Sequence, residues 1–297
     1  MTSEPATDEA VRTADGAWSP SAVQRERDAY RRGRTRRSLG IAAASTVVVV
    51  GLLTLGITSS PGWSRVQDSF FNPRIAWISL PEVLYGLRLN FYVWIMSAVG
   101  MLVFGLLLAI LRTLRGPVFW PLRALATLYV DLFRGLPVII VLYVIGFGLP
   151  GLRLQGVPTD TIVLGAIALT MTYSAYVAEV LRAGIESVHP SQRAAARSLG
   201  LSAGQTLRFV VLPQGIRRVV PPLLNDLVSL QKDAGLISIL GIPLDALRQA
   251  QIVQAQYFNY TPYVVAGLLF ILFTIPLTRF TDWIMRRNGY LATGLKV

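Results

Sequence analysis

The sequence predicts an all-α, polytopic membrane protein with about six transmembrane helices and a pair of short helices in one cytoplasmic loop. Three observations carry this. Hydrophobic residues make up 53% of the chain and charged residues only 15%, against roughly 25% charged in a typical soluble domain. Mean hydropathy is +0.52. The apolar residues also gather in runs of about 20, the length a helix needs to cross the hydrocarbon layer.

The runs fall, in order, at Leu39–Thr58, Phe91–Leu111, Trp120–Leu149, Thr161–Leu181, Val219–Ile242 and Pro262–Met285. The third carries Asp131 and Arg134, and the fifth is interrupted by Asn225, Asp226, Lys232 and Asp233. Trp63, Trp77, Tyr260 and Tyr263 flank the spans as an interfacial aromatic belt would.

Arginine and lysine set the orientation, because cytoplasmic loops carry their excess. With the N-terminus inside and the spans alternating, inside segments hold twenty basic residues. Outside segments hold five: Arg65, Arg74, Arg88, Arg153 and Arg248. Both termini are therefore expected in the cytoplasm of a bacterial-type inner membrane. The net charge of +12 then reads as a topology signal facing membrane lipid, with no nucleic acid partner.

Residues 1–38 are polar and lack apolar periodicity, so they are expected to be a disordered cytoplasmic tail. Residues 39–58 follow as an anchor that is retained, the preceding segment being too long for a signal-peptide n-region. Residues 59–84 are expected as an extracytoplasmic connector, 85–290 as the core and 291–297 as a short cytoplasmic tail. Cysteine is absent and His189 is the one histidine, which excludes disulfides, thiolate chemistry and a recognisable histidine metal site.

One inside loop, 189–213, is more regular than a simple connection needs. Pro190 can open a helix, Ala194–Leu199 favour one, and Gly200 can end it in the left-handed conformation. Ser202 and Gln205 have capping-box spacing for a second short helix, with Leu212-Pro213 expected to end it.

These residues resemble the EAA loop of ABC importer permeases, in particular the polar amino-acid branch. The matching positions are Gln192, Ala195, Ala196, Leu199, Gly200, Leu201, Ser202, Gln205, Thr206 and Leu212-Pro213-Gln214. The resemblance extends to Asp131-Leu-Phe-Arg134-Gly135-Leu-Pro137, to the run from Ala175 through Glu179 and Arg182 to Ile185, and to Pro221-Pro222-Leu-Leu-Asn225 and Leu230-Gln-Lys232-Asp233. It implies that Gln192, Ala194, Ala195, Ala196, Leu199, Gly200 and Leu201 couple to a cytoplasmic ATPase dimer. It further implies a second permease copy or paralogue, an extracytoplasmic substrate-binding protein, and transport by alternating access. Two positions depart from the pattern. Ala194 stands where the loop glutamate is usual, and Ala234-Gly235 stand where Thr-Ser is usual.

Ionisable groups inside a span are costly and by default functional or paired. Asp131 with Arg134, and Glu179 with Arg182, have the i,i+3 spacing of ion pairs. Lys232 and Asp233 are adjacent, so they cannot face each other along one helix. Each lies on the substrate path or in a structural network, and the sequence leaves both open. Asn90, Glu179, Asn225, Lys232 and Asp233 form the candidate substrate pathway or gate.

The chain holds no GxxxxGK[ST] motif, so ATP and Mg are expected on the partner ATPase, with no cofactor and no catalytic residue here. A membrane enzyme would need clustered catalytic groups, which the sequence lacks. A membrane signalling or assembly protein built around the basic tail would leave the inside loop featureless. The alternatives kept are a permease for another small solute and a non-transport membrane signalling or assembly protein.

Overall fold

The computed structural model describes residues 21–114, 116–241 and 245–288. Among the described residues every regular element is helical and none is a strand. In chain order α1 spans Ala22–Thr58, α2 Trp63–Phe70, α3 Pro73–Thr113 and α4 Trp120–Gly135. The fifth, α5, runs Val138–Gly151, with a π turn over Val144–Gly148. Next come α6 Thr161–Glu186, α7 Pro190–Ser198 and α8 Ala203–Thr206. A π turn, Leu207–Val211, leads into α9 Leu212–Asp233, and a 3₁₀ turn, Ala234–Leu240, follows it. The chain closes with α10 Ala246–Tyr257 and α11 Thr261–Arg287. The chain divides into two compact units at Val66, so α1 and the body from Gln67 onward are described separately.

Several boundaries differ from the sequence reading. Residues 22–38, expected to be disordered, continue the helix of the apolar run in one piece from Ser21, whose side chain accepts the Gln24 N–H. Arginine and alanine are good helix formers, and a helix already nucleated by an apolar run extends at little cost. Residues 1–20 and 289–297, including the expected C-terminal tail, lie outside the described residues. The expected connector 59–84 is also largely helical, and α3 starts at Pro73, with Asn72 capping it. The Trp120–Leu149 run is not one rod. It breaks between Gly135 and Val138 and turns by 109°, because Pro137 removes a backbone donor and disfavours helix at Leu136.

Among the described residues four helices are long and apolar enough to cross a membrane, or five if the bent α4–α5 pair is one span. The six expected spans are not all among them. The missing one is α9, whose prolines and polar residues dilute its apolar length, and whose regular turns stop at Asp233. Ile242, the expected end of that span, lies outside the described residues.

Within the body the main core is built where α3 crosses α6. Val93, Trp94 and Met101 of α3 meet Leu169, Tyr173 and Val177 of α6, and Leu142, Leu230, Ile237 and Leu240 close the cluster. Such helices approach closely through small residues. A Cβ at Gly105 would lie 2.4 Å from Cγ1 of Val177, so the valine occupies the space the glycine leaves. A second cluster joins Val83 of α3, Ala246 and Ala250 of α10, and Val265 and Ala266 of α11.

Candidate coupling loop and polar path

The 189–213 loop is held in shape by its own chain. The imidazole Nδ1 of His189 accepts the Ser191 N–H at 3.2 Å, so this residue, expected only as a loop side chain, caps α7. At the other end Gly200 adopts φ +83°. The Leu201 N–H then reaches back to the Ala196 carbonyl at 3.2 Å, the six-to-one bond of a Schellman turn. The capping box forms as its spacing predicts. The Ser202 N–H donates to Gln205 Oε1 at 2.8 Å, and the Gln205 N–H donates to Ser202 Oγ at 3.2 Å.

The second short helix does not stop at Leu212-Pro213. It passes through the π turn into α9 without a break. Pro213 lies in the first turn of α9, and the π turn just before it absorbs the change of pitch that its missing N–H imposes.

Two helices pinch together under this loop. Gly184, near the end of α6, and Gly215, near the start of α9, stand back to back. A Cβ on Gly215 would lie 3.3 Å from the Gly184 carbonyl oxygen. Arg193 donates to the Ile185 carbonyl at 2.5 Å, and Arg218 donates to the Ser187 carbonyl. The first bond ties α7 to the end of α6, and the second ties α9 to the start of the loop.

Its outward face carries mostly small residues, with Arg197 exposed beside them. Gln192, Ala194, Ala195 and Gly200 are exposed, and Leu199 is 84% exposed at the tip. Ala196, expected among the outward docking residues, is only 5% exposed and packs inward. Leu201 is half-buried. With alanine at 194 and Arg193 turned inward, the face offers shape and apolar area rather than the ion pair of a loop glutamate.

Just inside the loop, one carboxylate gathers three arginines. Glu179 accepts from Arg112 of α3 at 2.8 Å and from Arg182 Nε at 3.2 Å, and lies 3.7 Å from Arg134 of α4. Arg182 also pairs with Glu186. The Glu179–Arg182 pair forms as its spacing predicts, whereas the expected Asp131–Arg134 pair does not. Asp131 is exposed and makes no ion pair among the described residues. Arg134 turns instead to Glu179, already facing it from α6, which ties three helices together.

Farther along, α9 presents the polar residues that interrupt its apolar run. Asp233 accepts the Tyr173 hydroxyl at 2.8 Å. Lys232 and Asn225 are exposed. Asp226, two helical turns before Asp233, has a buried carboxylate oxygen with no hydrogen-bond partner. Sequence reasoning registered Asp226 only as an interruption. A tyrosine on an apolar helix carries no sequence signal of a polar partner, so the Tyr173 bond to Asp233 is visible only in the structure.

Asn90, expected on the substrate path, is 2% exposed and committed to the protein. Its amide donates to the Ala234 carbonyl at 3.0 Å and to Asp245 Oδ2 at 3.3 Å, and its oxygen accepts the Ala246 N–H at 3.0 Å. It clasps α3 to the 3₁₀ turn and to the start of α10. The cause is that α10 folds back on the N-terminal half of α3, an approach that no local pattern encodes. Asp245, fully buried, completes the clasp by accepting the Arg248 N–H at 2.9 Å.

Helices long and apolar enough to span a membrane, a capped loop between two of the helices and a helix whose apolar run is interrupted by polar residues fit an integral membrane component. Residues 101–290 match the family described as "Binding-protein-dependent transport system inner membrane component", and the chain belongs to that family. It is 31% identical over 200 residues to the arginine transport system permease protein ArtQ of Bacillus subtilis (strain 168), covering 67% of this chain and 89% of that one. It is 35% identical over 196 residues to the probable glutamine ABC transporter permease protein GlnM of the same organism, covering 65% and 87%. Among solved structures it is similar to one described as "Crystal structure of an amino acid ABC transporter with histidines". That match has a TM-score of 0.64 and 30% identity, and covers 70% of this chain and 94% of that one. The chain is therefore a multi-pass inner-membrane component of an ABC transporter.

Proposed function

We propose that this chain is the permease subunit of an ATP-driven, binding-protein-dependent importer of polar amino acids. The observation that carries the reading is the loop between α6 and α9. A short helix is capped at both ends and tied to the body, yet it holds a leucine 84% exposed at its tip. An apolar tip on a rigid element is a docking knob. A cytoplasmic ATPase dimer that closes on ATP would move it, and the Gly184–Gly215 crossing would pass the motion to α6 and α9. ATP and Mg belong to that partner. The amino-acid class rests on similarity to the arginine and glutamine permeases and to the amino-acid transporter structure.

The substrate path runs along α9, past Asn225, Asp226, Lys232 and Asp233. Asp226 and Asp233 flank Tyr173, and the unpartnered Asp226 oxygen suits the ammonium or side-chain cation of an amino acid. Lys232 is exposed where a carboxylate could approach it. Glu179, held by three arginines, acts as an inner gate node rather than a binding group. Asn90 holds the fold beside the path. A second permease, a copy or a paralogue, would complete the cavity, and a substrate-binding protein would load it from outside. Both termini face the cytoplasm.

Detergent extraction and affinity purification should bring down an ATPase and a binding protein. The reconstituted complex should take up a polar amino acid only with ATP. Asp226→Asn should keep assembly and ATP hydrolysis while uptake falls at least about tenfold, the cost of one charged hydrogen bond. An intact complex that hydrolyses ATP yet takes up no polar amino acid would overturn the assignment. Unchanged uptake by Asp226→Asn would remove Asp226 from the path.

A further inference from the structure

We propose that the arginine-rich first half of α1 is a binding site for anionic lipid headgroups. The inference rests on α1 being a membrane span. Its apolar stretch has a mean hydropathy of 2.2 over its best 18 residues and buries none of that window. Leu39 opens the apolar stretch, and immediately before it Ala29–Ser38 holds five arginines, at 31, 32, 34, 36 and 37, with no acidic residue. The two acidic residues of α1, Glu26 and Asp28, both lie farther out, among Arg25 and Arg27.

Helix geometry separates these two groups. At about 1.5 Å per residue, positions 37 to 31 stand roughly 3–12 Å from the start of the apolar run. The headgroup layer is about 5–8 Å deep on each side of the hydrocarbon, so positions 34, 36 and 37 fall within it and positions 31 and 32 a few ångströms beyond. Positions 25–28 lie roughly 16–21 Å out, beyond the headgroup layer. Asp28 stands one turn from Arg31 and Arg32, whereas Arg34, Arg36 and Arg37 have no acidic residue within four positions, so the basic excess without a neighbouring carboxylate lies nearest the phosphates.

The arrangement around the axis favours lipid over a flat partner. At about 100° per residue, positions 31, 34 and 37 fall within one third of the circumference, and positions 32 and 36 fall on the opposite side. Arg31, Arg34 and Arg37 are exposed. A one-sided stripe would suit a protein groove or a nucleic acid backbone. A collar suits a helix standing upright in a leaflet, where headgroups surround it. A guanidinium binds a phosphate oxygen pair through two parallel N–H bonds, so the partner chemistry is a phosphodiester headgroup with net negative charge.

Each arginine at a membrane surface strengthens attraction to anionic lipid by about fivefold. The test places the full-length protein in bilayers containing a brominated or spin-labelled phosphatidylglycerol or phosphatidylcholine. It reads the relative association constant of the two lipids from quenching of a dye attached at Ser38→Cys, a single label site in a chain without cysteine. Wild type should prefer phosphatidylglycerol by about fivefold or more, and the preference should fall steeply between 0.05 and 0.5 M salt, taken as roughly a threefold drop in Debye length. Replacing all five arginines by glutamine should abolish the preference, and replacing them by lysine should keep most of it. No preference in wild type, a preference insensitive to salt, or full preference in the glutamine variant would each overturn the proposal. So would competition by single-stranded RNA in place of lipid. The salt series on wild type decides the matter even if the glutamine variant fails to insert.

Discussion

Replacing Gly184 by alanine tests the pinch beneath the coupling loop. A Cβ there would stand 2.0 Å from Cγ2 of Val219 and 3.3 Å from the Gly215 carbonyl oxygen. Carbon atoms in good contact sit at about 3.5–4.0 Å, so α6 and α9 must separate by roughly 1.5 Å or the valine must turn. Val219 is 6% exposed on a helix, where a β-branched side chain has essentially one rotamer. Separation is therefore the cheaper response, and overpacking of this kind costs about 1–3 kcal/mol. In a body of this size that corresponds to a fall of about 2–10 °C in Tm, read at one scan rate in detergent. Because the crossing lies between the loop and the spans, ATP-coupled uptake should fall more than ATP hydrolysis. Val219→Ala removes the offending methyls, so the double variant should recover stability relative to the sum of the singles, with a coupling of about 1 kcal/mol or more. A Gly184→Ala protein with unchanged Tm and coupling, or a double variant that is simply additive, would refute the pinch.

The same loop and the topology give two further expectations. Gly200 has φ +83° and open space where a Cβ would go, so Gly200→Val should act through backbone strain alone, at about 1–2 kcal/mol. Substrate loading should persist while ATP-coupled uptake is lost, and wild-type uptake in that variant would show the turn is not needed. Reporter fusions at residues 1 and 297 should both be active only with a cytoplasmic-side reporter, and an extracytoplasmic signal from either end would change the span count by one.

What the sequence made legible follows from the range of each signal. The Gly200 turn and the Ser202–Gln205 capping box were legible because such positions act within four residues of themselves, whereas the continuation through Pro213 and the inward packing of Ala196 were not. The Glu179–Arg182 pair was legible for the same reason. The Asp131–Arg134 pair failed because Glu179, 45 positions from Arg134 in the chain, competes for the guanidinium from another helix. Asn90 and Asp245 show the same limit. Their bonds span more than 150 residues, and either side chain alone looks like a polar residue awaiting a ligand. The third span looked continuous because apolar content persists through Pro137, whereas the backbone there turns by 109°. The polar path along α9 was visible as a run of interruptions, but which oxygen is left without a partner depends on what α6 brings opposite it.

The most direct test of the account uses the absence of cysteine from the chain. A single Leu199→Cys substitution places one thiol at the exposed tip of the coupling loop, and a matching thiol is scanned along the docking face of the co-purified ATPase. The account predicts a disulfide or short-linker cross-link at a few adjacent ATPase positions, with a yield that changes when ATP closes the dimer. Locking that cross-link should stop ATP-driven amino-acid uptake until it is reduced. An intact, transporting complex in which Leu199→Cys meets no ATPase thiol, or in which the locked complex transports at full rate, would contradict it.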